Sequence, residues 1–247
     1  GFWMCTALVV GNIIGIGIFL MPAALAPLGL NALIGWAITV FGCLLLALVF
    51  AGLARSFPHD DGPYTYTQRA FGHPTAIMAM SCYWVATWVT NAAIAIGIVG
   101  YLSIFVPALN HNPWLPPVTA LALLWLFVLI NLFGVRGVAW LQMLTTLLKL
   151  LPQFAIIALG LWLLISHPAV YSAQIPSTPI SLHGVITAST IALFAMLGVE
   201  CAAIPAGLVR DPARTIPRAT ITGTLIAAAI YVCISIVPML LIPQHEL

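Results

Sequence analysis

The sequence predicts an all-α integral membrane protein, and three observations carry that prediction. Of its 247 residues, 63% are hydrophobic and only 5% charged, where a soluble domain carries about a quarter charged. Residues 1–54, 70–135, 150–199 and 219–245 contain no Lys, Arg, Asp or Glu. A membrane crossing needs about 20 apolar residues, so each stretch holds one or more crossings, folded back at turns that contain Pro and Gly. The six basic residues of the loops, finally, all lie on one side once the crossings are drawn. Lipid must therefore be the solvent for most of the chain.

Seven spans are predicted, at about 2–26, 31–54, 75–107, 117–134, 140–165, 184–208 and 217–242. Span 1 contains Gly11-Asn12-Ile13-Ile14-Gly15-Ile16-Gly17-Ile18-Phe19. Three glycines so close together weaken a helix, and a broken membrane helix survives only where its freed backbone faces protein or a water-filled cavity. The freed N–H groups and the half-helix N-terminus would suit a carboxylate. The spacing of Gly11 and Gly15 fits a GxxxG packing face equally well; Gly17 and Pro22 favour the break.

Span 2 is uninterrupted. Span 3 is long enough to tilt strongly or to extend beyond the lipid. It mixes rings and an amide: Tyr83, Trp84, Trp88 and Asn91. Helix packing accounts for Trp84 and Trp88. Asn91 points to a pore lining, because an unpaired amide in lipid is costly. Trp114, Trp140 and Trp162, close to span ends, read as an interfacial belt.

Span 5 carries Lys149 and span 6 carries Glu200. A charged residue in a span costs about 2.5–3.5 kcal/mol on insertion scales. Such residues line a pathway, pair with an opposite charge, or accept protons. Lys149 lies about 13 Å into span 5 and Glu200 about 12 Å into span 6, both from the same side at 1.5 Å per residue. Their depths are therefore similar. Lys149 either stands in for a coupling cation or titrates. Glu200 follows Phe194-Ala195-Met196-Leu197-Gly198-Val199, where Gly198 signals a second, weaker break. A structural ion pair is the plainer alternative for the carboxylate.

Loops test the topology. Those after spans 1, 3, 5 and 7 hold no Lys or Arg; the others hold Arg55, Arg69, Arg136, Arg210, Arg214 and Arg218. By the positive-inside rule the basic loops and the N-terminus are cytoplasmic. A seven-helix receptor or retinal protein has the opposite orientation, and a retinal protein wants a Lys in its last span. Two cytoplasmic loops, Phe57–Tyr66 and Arg210–Ala219, read as structural turns. In the second, Thr215 is placed to cap span 7 and Pro217 to fill its first turn.

Cys5, Cys43, Cys82, Cys201 and Cys233 lie singly in apolar runs, without a disulfide framework or a CxxC metal pattern, and read as packing thiols. The six histidines are also single. No GxSxG, HExxH or phosphate loop is present, so no enzyme is expected, and no cofactor or metal. The net charge of +2 says nothing about nucleic acid, and with no basic patch outside short loops no nucleic-acid partner is expected. The first apolar run lacks the basic flank and cleavage site of a signal peptide.

These motifs jointly resemble the amino acid–polyamine–organocation superfamily of transporters, closest to its basic amino acid/polyamine antiporter branch. The likeness covers the whole chain. It rests on GNIIGIGIF in span 1, GPYTYTQRAFG after span 2, YW…W..N in span 3, FAMLGVE in span 6 and RDPARTIPRAT before span 7. The resemblance implies a 5+5 inverted-repeat fold in which spans 1 and 6 are equivalent broken helices. Residues to about 165 would form the first repeat, and about 183–247 would begin the second. Seven of the fold's ten core spans are present, so a longer reading frame is expected after Leu247.

The resemblance also implies a site. The backbone of Gly15, Ile16 and Gly17 would hold a substrate carboxylate, with Asn12 a further substrate contact, and carbonyls around Phe194, Ala195 and Leu197 would hold its amine. Phe194 would form an aromatic gate, and Tyr83 and Asn91 would approach the substrate. Glu200 matches a coupling glutamate. Lys149 looks like the span 5 lysine of proton-coupled and exchanging permeases, where it fills a sodium site. Ile16 replaces a small hydroxyl residue of the arginine antiporter, which with Lys149 favours a neutral or broad substrate over strict arginine exchange. The function implied is secondary-active amino acid or amine transport by alternating access, in a cell (inner) membrane. The partners implied are a small amino acid or amine, the lipid bilayer and, in assembly, a homodimer. An amino acid sensor on the same scaffold is the competing reading.

Overall fold

The computed structural model describes residues 1–15, 17–57, 62–132, 135–167, 178–202, 209 and 211–241. Every regular element among them is helical. In order these are α1 (Phe2–Ile13), α2 (Gly17–Leu25), a 3₁₀ turn (Ala26–Leu28), α3 (Leu30–Ser56), α4 (Pro63–Phe71), α5 (His73–Phe105), α6 (Ala108–His111), α7 (Leu115–Leu132), α8 (Val135–Ser166), α9 (Leu182–Ala195), a second 3₁₀ turn (Val199–Ala202) and α10 (Pro212–Leu241). Among the described residues, six helices are long and apolar enough to cross a membrane. Counted as one span, the pair formed by α1 with the segment Gly17–Leu28, bent by 48°, makes seven. The chain is an integral membrane protein, and each expected span has a helical counterpart among the described residues, with 133–134 of span 4 and 203–208 of span 6 outside them.

The helices fall into two compact units, Gly1–Gly62 with Gln142–Leu247, and Pro63–Leu141. In the first unit, small residues let helices approach closely, as membrane packing requires. At Gly35 of α3 an added Cβ would lie 2.6 Å from the Ala188 Cβ of α9. At Gly223 of α10 it would lie 2.7 Å from the Val9 side chain of α1. Between these contacts sits a core of Val9, Ile13, Ile14, Ile18, Trp36 and Met196.

The start of α3 is tied to the start of α9 by one buried amide. Asn31 donates to the Leu28 and Pro179 carbonyls at 3.0 and 3.1 Å and accepts from the Ser181 N–H at 2.9 Å. Ser181 in turn caps α9, accepting from the Gly184 N–H at 3.0 Å. Further along, Thr39 donates to the Ser189 carbonyl at 3.1 Å. Such bonds are strong choices where lipid offers no alternative partner.

The second unit holds α4 to α7. Its small core is Ala95, Val99, Leu109 and Ala120. The loop read as a turn after span 2 is in part a helix: Pro63 opens α4, its fixed φ suiting a first turn. Gly72 then takes φ +87°, a left-handed conformation that glycine adopts without strain, and α5 begins. The Tyr64 hydroxyl shares a hydrogen bond of 2.9 Å with His73 Nδ1, so this histidine is not solitary.

Two other boundaries differ from expectation. α10 begins at Pro212, so Thr215 is not its cap and Pro217 lies within it. Asp211, with φ +50°, precedes the helix and accepts from the Thr215 N–H at 2.9 Å. Proline at the first turn, where no N–H bond is needed, explains the earlier start. Cys82 is exposed on α5, while Cys5 and Cys43 are buried and Cys201 and Cys233 half-buried. Packing within this chain therefore accounts for four of the five thiols and not for Cys82.

Candidate functional site

A helix end leaves its last carbonyls without intrahelical donors, and these carry the negative end of the helix dipole. At the end of α1 this happens inside a span, where lipid has no donor to offer. Two side chains supply donors. Lys149 of α8 donates from Nζ to the Gly11 carbonyl at 2.6 Å and also to the Ile14 carbonyl. Tyr231 of α10 donates from its hydroxyl to the Ile13 carbonyl at 3.0 Å.

Both donors are held in place. α8 comes close because Gly11 has no side chain: a Cβ there would lie 2.6 Å from Thr146 Oγ1 and would collide with the Gln142 amide. The Tyr231 ring stacks on Trp36 of α3, with centroids 5.5 Å apart and planes inclined by 27°. The Trp36 indole N–H donates to Ser235 Oγ at 3.1 Å. Both rings are almost wholly buried, so the phenol has little freedom to leave the carbonyl it caps.

The second break lies against the first. α9 ends at Ala195, and the Met196 N–H turns back to the Ala192 and Leu193 carbonyls at 3.2 and 3.1 Å. Gly198 then takes φ +108°. A Cβ at Gly198 would lie 3.4 Å from the Asn12 backbone carbon, so the unwound segment touches the last turn of α1. The 3₁₀ turn that follows packs on α1 as well and carries Glu200, which is half-buried. Cys201 Sγ is 4.0 Å from the Glu200 carboxylate.

This arrangement gathers helix-end backbone, an ammonium and a carboxylate at two facing helix breaks. Paired half-helices of this kind hold charged substrates and coupling ions in membrane carriers.

Comparison with known proteins bears on this geometry. The model of the amino acid permease family matches residues 1–247. The chain belongs to that family. It is 36% identical over 237 residues to a cadaverine/lysine antiporter of Escherichia coli, an alignment that covers 94% of this chain and 52% of that protein. It is 30% identical over 250 residues to an arginine/ornithine antiporter of Pseudomonas aeruginosa, covering 98% of this chain and 52% of the other. It is 29% identical over 247 residues to a putrescine transporter of E. coli, covering 100% and 56%. The chain thus spans about half the length of the curated relatives it matches. Its membership fits a transporter fold and no enzyme.

Within this chain, the expected site residues separate into groups. Gly15 and Gly17 flank the break in span 1, both half-buried, and the Gly15 N–H bonds to the Ile13 carbonyl at 3.0 Å. Ile16 lies outside the described residues. Asn12 is exposed at the end of α1, beside Gly198. Ala195 is buried, whereas Phe194 and Leu197 are exposed at 68% and 58%. Tyr83 and Asn91 lie in the second unit, on α5. Asn91 faces a cleft shared with Asn131 of α7, and Tyr83 is half-buried. Trp84 and Trp88 stack on each other, centroids 6.0 Å apart, and both stay exposed.

Sequence reasoning missed Tyr231, Trp36 and Ser235. Their polar tips sit within long apolar runs, and neither composition nor charge draws attention to them. It also missed the residues around Lys149 on its own helix face, although a signal existed: Gln142, Thr146, Lys149 and Gln153 recur at helical spacing.

Proposed function

We propose that this chain supplies the broken-helix core of a secondary transporter that exchanges a basic amino acid for a related amine by alternating access. The observation that carries the reading is the break in span 1, its carbonyls held by Lys149 and Tyr231, packed against the break in span 6. The relatives named for lysine, cadaverine, arginine, ornithine and putrescine support a cationic substrate. They weigh against the neutral preference that Ile16 and Lys149 suggest.

In this reading spans 1 to 5 form one repeat, and spans 6 and 7 open its inverted counterpart. The backbone from Gly15 to Gly17 takes the substrate carboxylate, aided by the dipole of α2, with the Gly15 N–H released from the Ile13 carbonyl when substrate binds. Carbonyls from Phe194 to Leu197 take the amino group, and the exposed Phe194 ring acts as a gate. The resemblance alone carries Asn12, Ile16, Tyr83 and Asn91 as further substrate contacts. The Lys149 ammonium takes the place of a coupling cation on the α1 carbonyls, and Glu200 couples substrate or proton movement to the change of access. The one-sided basic loops support a cytoplasmic N-terminus in the cell membrane.

Counterflow tests the reading. The full-length protein is reconstituted in vesicles loaded with unlabelled lysine, and uptake of labelled lysine, cadaverine and leucine is measured. Saturable uptake of the cationic compounds, dependent on internal lysine, is expected. Uptake of leucine alone would mean a neutral permease. Binding without flux would mean a sensor.

A further inference from the structure

Lys149 is one member of a polar stripe. Gln142, Thr146, Lys149 and Gln153 follow one another at steps of four, three and four, which places them on one face of α8. Gly11 shows where the front of that face points: Thr146 Oγ1 and the Gln142 amide crowd the position its Cβ would take, and Lys149 bonds to its carbonyl. Thr146 is 4% exposed and Gln153 1%. Among the described residues, Thr146 Oγ1 and Gln153 Nε2 meet no hydrogen-bond partner. The two neighbours of Lys149 on its own face, one before it and one after, are therefore buried and unsatisfied.

A buried hydroxyl or amide left without a partner costs about 1–3 kcal/mol. Valine and methionine would fill the same volumes without that cost. An ammonium has three N–H donors, and the two α1 carbonyls engage two of them. Buried waters typically make two to four bonds to polar groups of this kind. The chemistry on both sides of Lys149 suits a small ligand that both donates and accepts.

We propose that the stripe is an internal water-binding site. One molecule bridges Thr146 Oγ1 and the remaining Lys149 N–H, and a second bridges Gln153 Nε2 to a neighbouring polar group of the site. The stripe from Gln142 to Gln153 covers about 16 Å of helix at 1.5 Å per residue. The functional consequence rests on the transport reading: a hydrated Lys149 can exchange its proton and leave the α1 carbonyls without crossing bare hydrocarbon.

The sign of a stability change tests the site. Thr146→Val and Gln153→Met are made in the full-length protein, and thermal unfolding is followed in detergent. If the groups are bare, each substitution removes an unsatisfied polar atom and raises Tm. If they hold water, each removes a bonded water and lowers Tm, while Thr146→Ser stays at the wild-type value. The fall with Ser rescue is expected; a rise or no change in both variants overturns the proposal. Should Thr146→Val fail to fold, Gln153→Met carries the same sign test alone. In vesicles, Thr146→Val is expected to slow exchange by about tenfold with substrate affinity retained. A wild-type protein inert in exchange would refute the transport reading, and the sign of the Tm change would still decide the water site.

Discussion

Tyr231→Phe isolates the capping of the broken span. The phenylalanine ring keeps the stack on Trp36, and the Trp36–Ser235 bond is untouched. What is lost is one hydroxyl donor, 3.0 Å from the Ile13 carbonyl. Hydrogen bonds between membrane helices are worth about 0.6 kcal/mol on average and up to about 1.7. At 1.4 kcal/mol per tenfold, that changes the ratio of capped to uncapped α1 by about three- to fifteen-fold. The variant should unfold at a lower temperature, and its exchange rate in vesicles should change by a factor in that range. Tyr231→Leu, which also loses the ring stack, should be worse on both counts. Unchanged unfolding and unchanged exchange in Tyr231→Phe would refute the idea that the break depends on this cap.

Other perturbations probe the same architecture. Gly198→Ala forces a Cβ into a left-handed conformation at φ +108° and against Asn12; a loss of about 1–2 kcal/mol should show as a lower unfolding temperature and reduced exchange. Gly35→Ala places a Cβ 2.6 Å from Ala188, and overpacking of about 1–3 kcal/mol should lower expression and stability while Gly52→Ala, where nothing lies within 4 Å, leaves both unchanged. Lys149→Ala should abolish proton-linked exchange, and an unaltered pH dependence of uptake in that variant would contradict its coupling role. Glu200→Gln should retain substrate binding by equilibrium titration and lose exchange; full exchange would remove Glu200 from the coupling path.

The membrane class, the number of spans and their order were legible because lipid imposes a length and an apolarity that few sequences meet by accident. The break in span 1 was legible from Gly11, Gly15 and Gly17, and that in span 6 only from Gly198 beside Glu200. Lys149 and Glu200 stood out because charge is rare in a span. Their surroundings did not. Lys149 meets backbone carbonyls of α1, and no side-chain pattern announces a carbonyl. Tyr231 and Trp36 are ordinary in an apolar run until tertiary packing brings them beside the break. The helix Pro63–Phe71 is hidden in the sequence because it is only 9 residues long and too polar, with Gln68 and Arg69, to stand out as an apolar run. Thr215 looked like a cap because Pro217 looked like a first turn; Pro212 meets that requirement earlier in the chain.

The most direct test of the central claim is a dual-label measurement of exchange. Vesicles containing the full-length protein are loaded with labelled cadaverine, and labelled lysine is added outside. The account predicts lysine uptake matched by cadaverine efflux, with neither flux when the opposite compartment is empty. Lysine uptake without efflux would contradict exchange, and lysine binding with no flux in either direction would contradict transport itself.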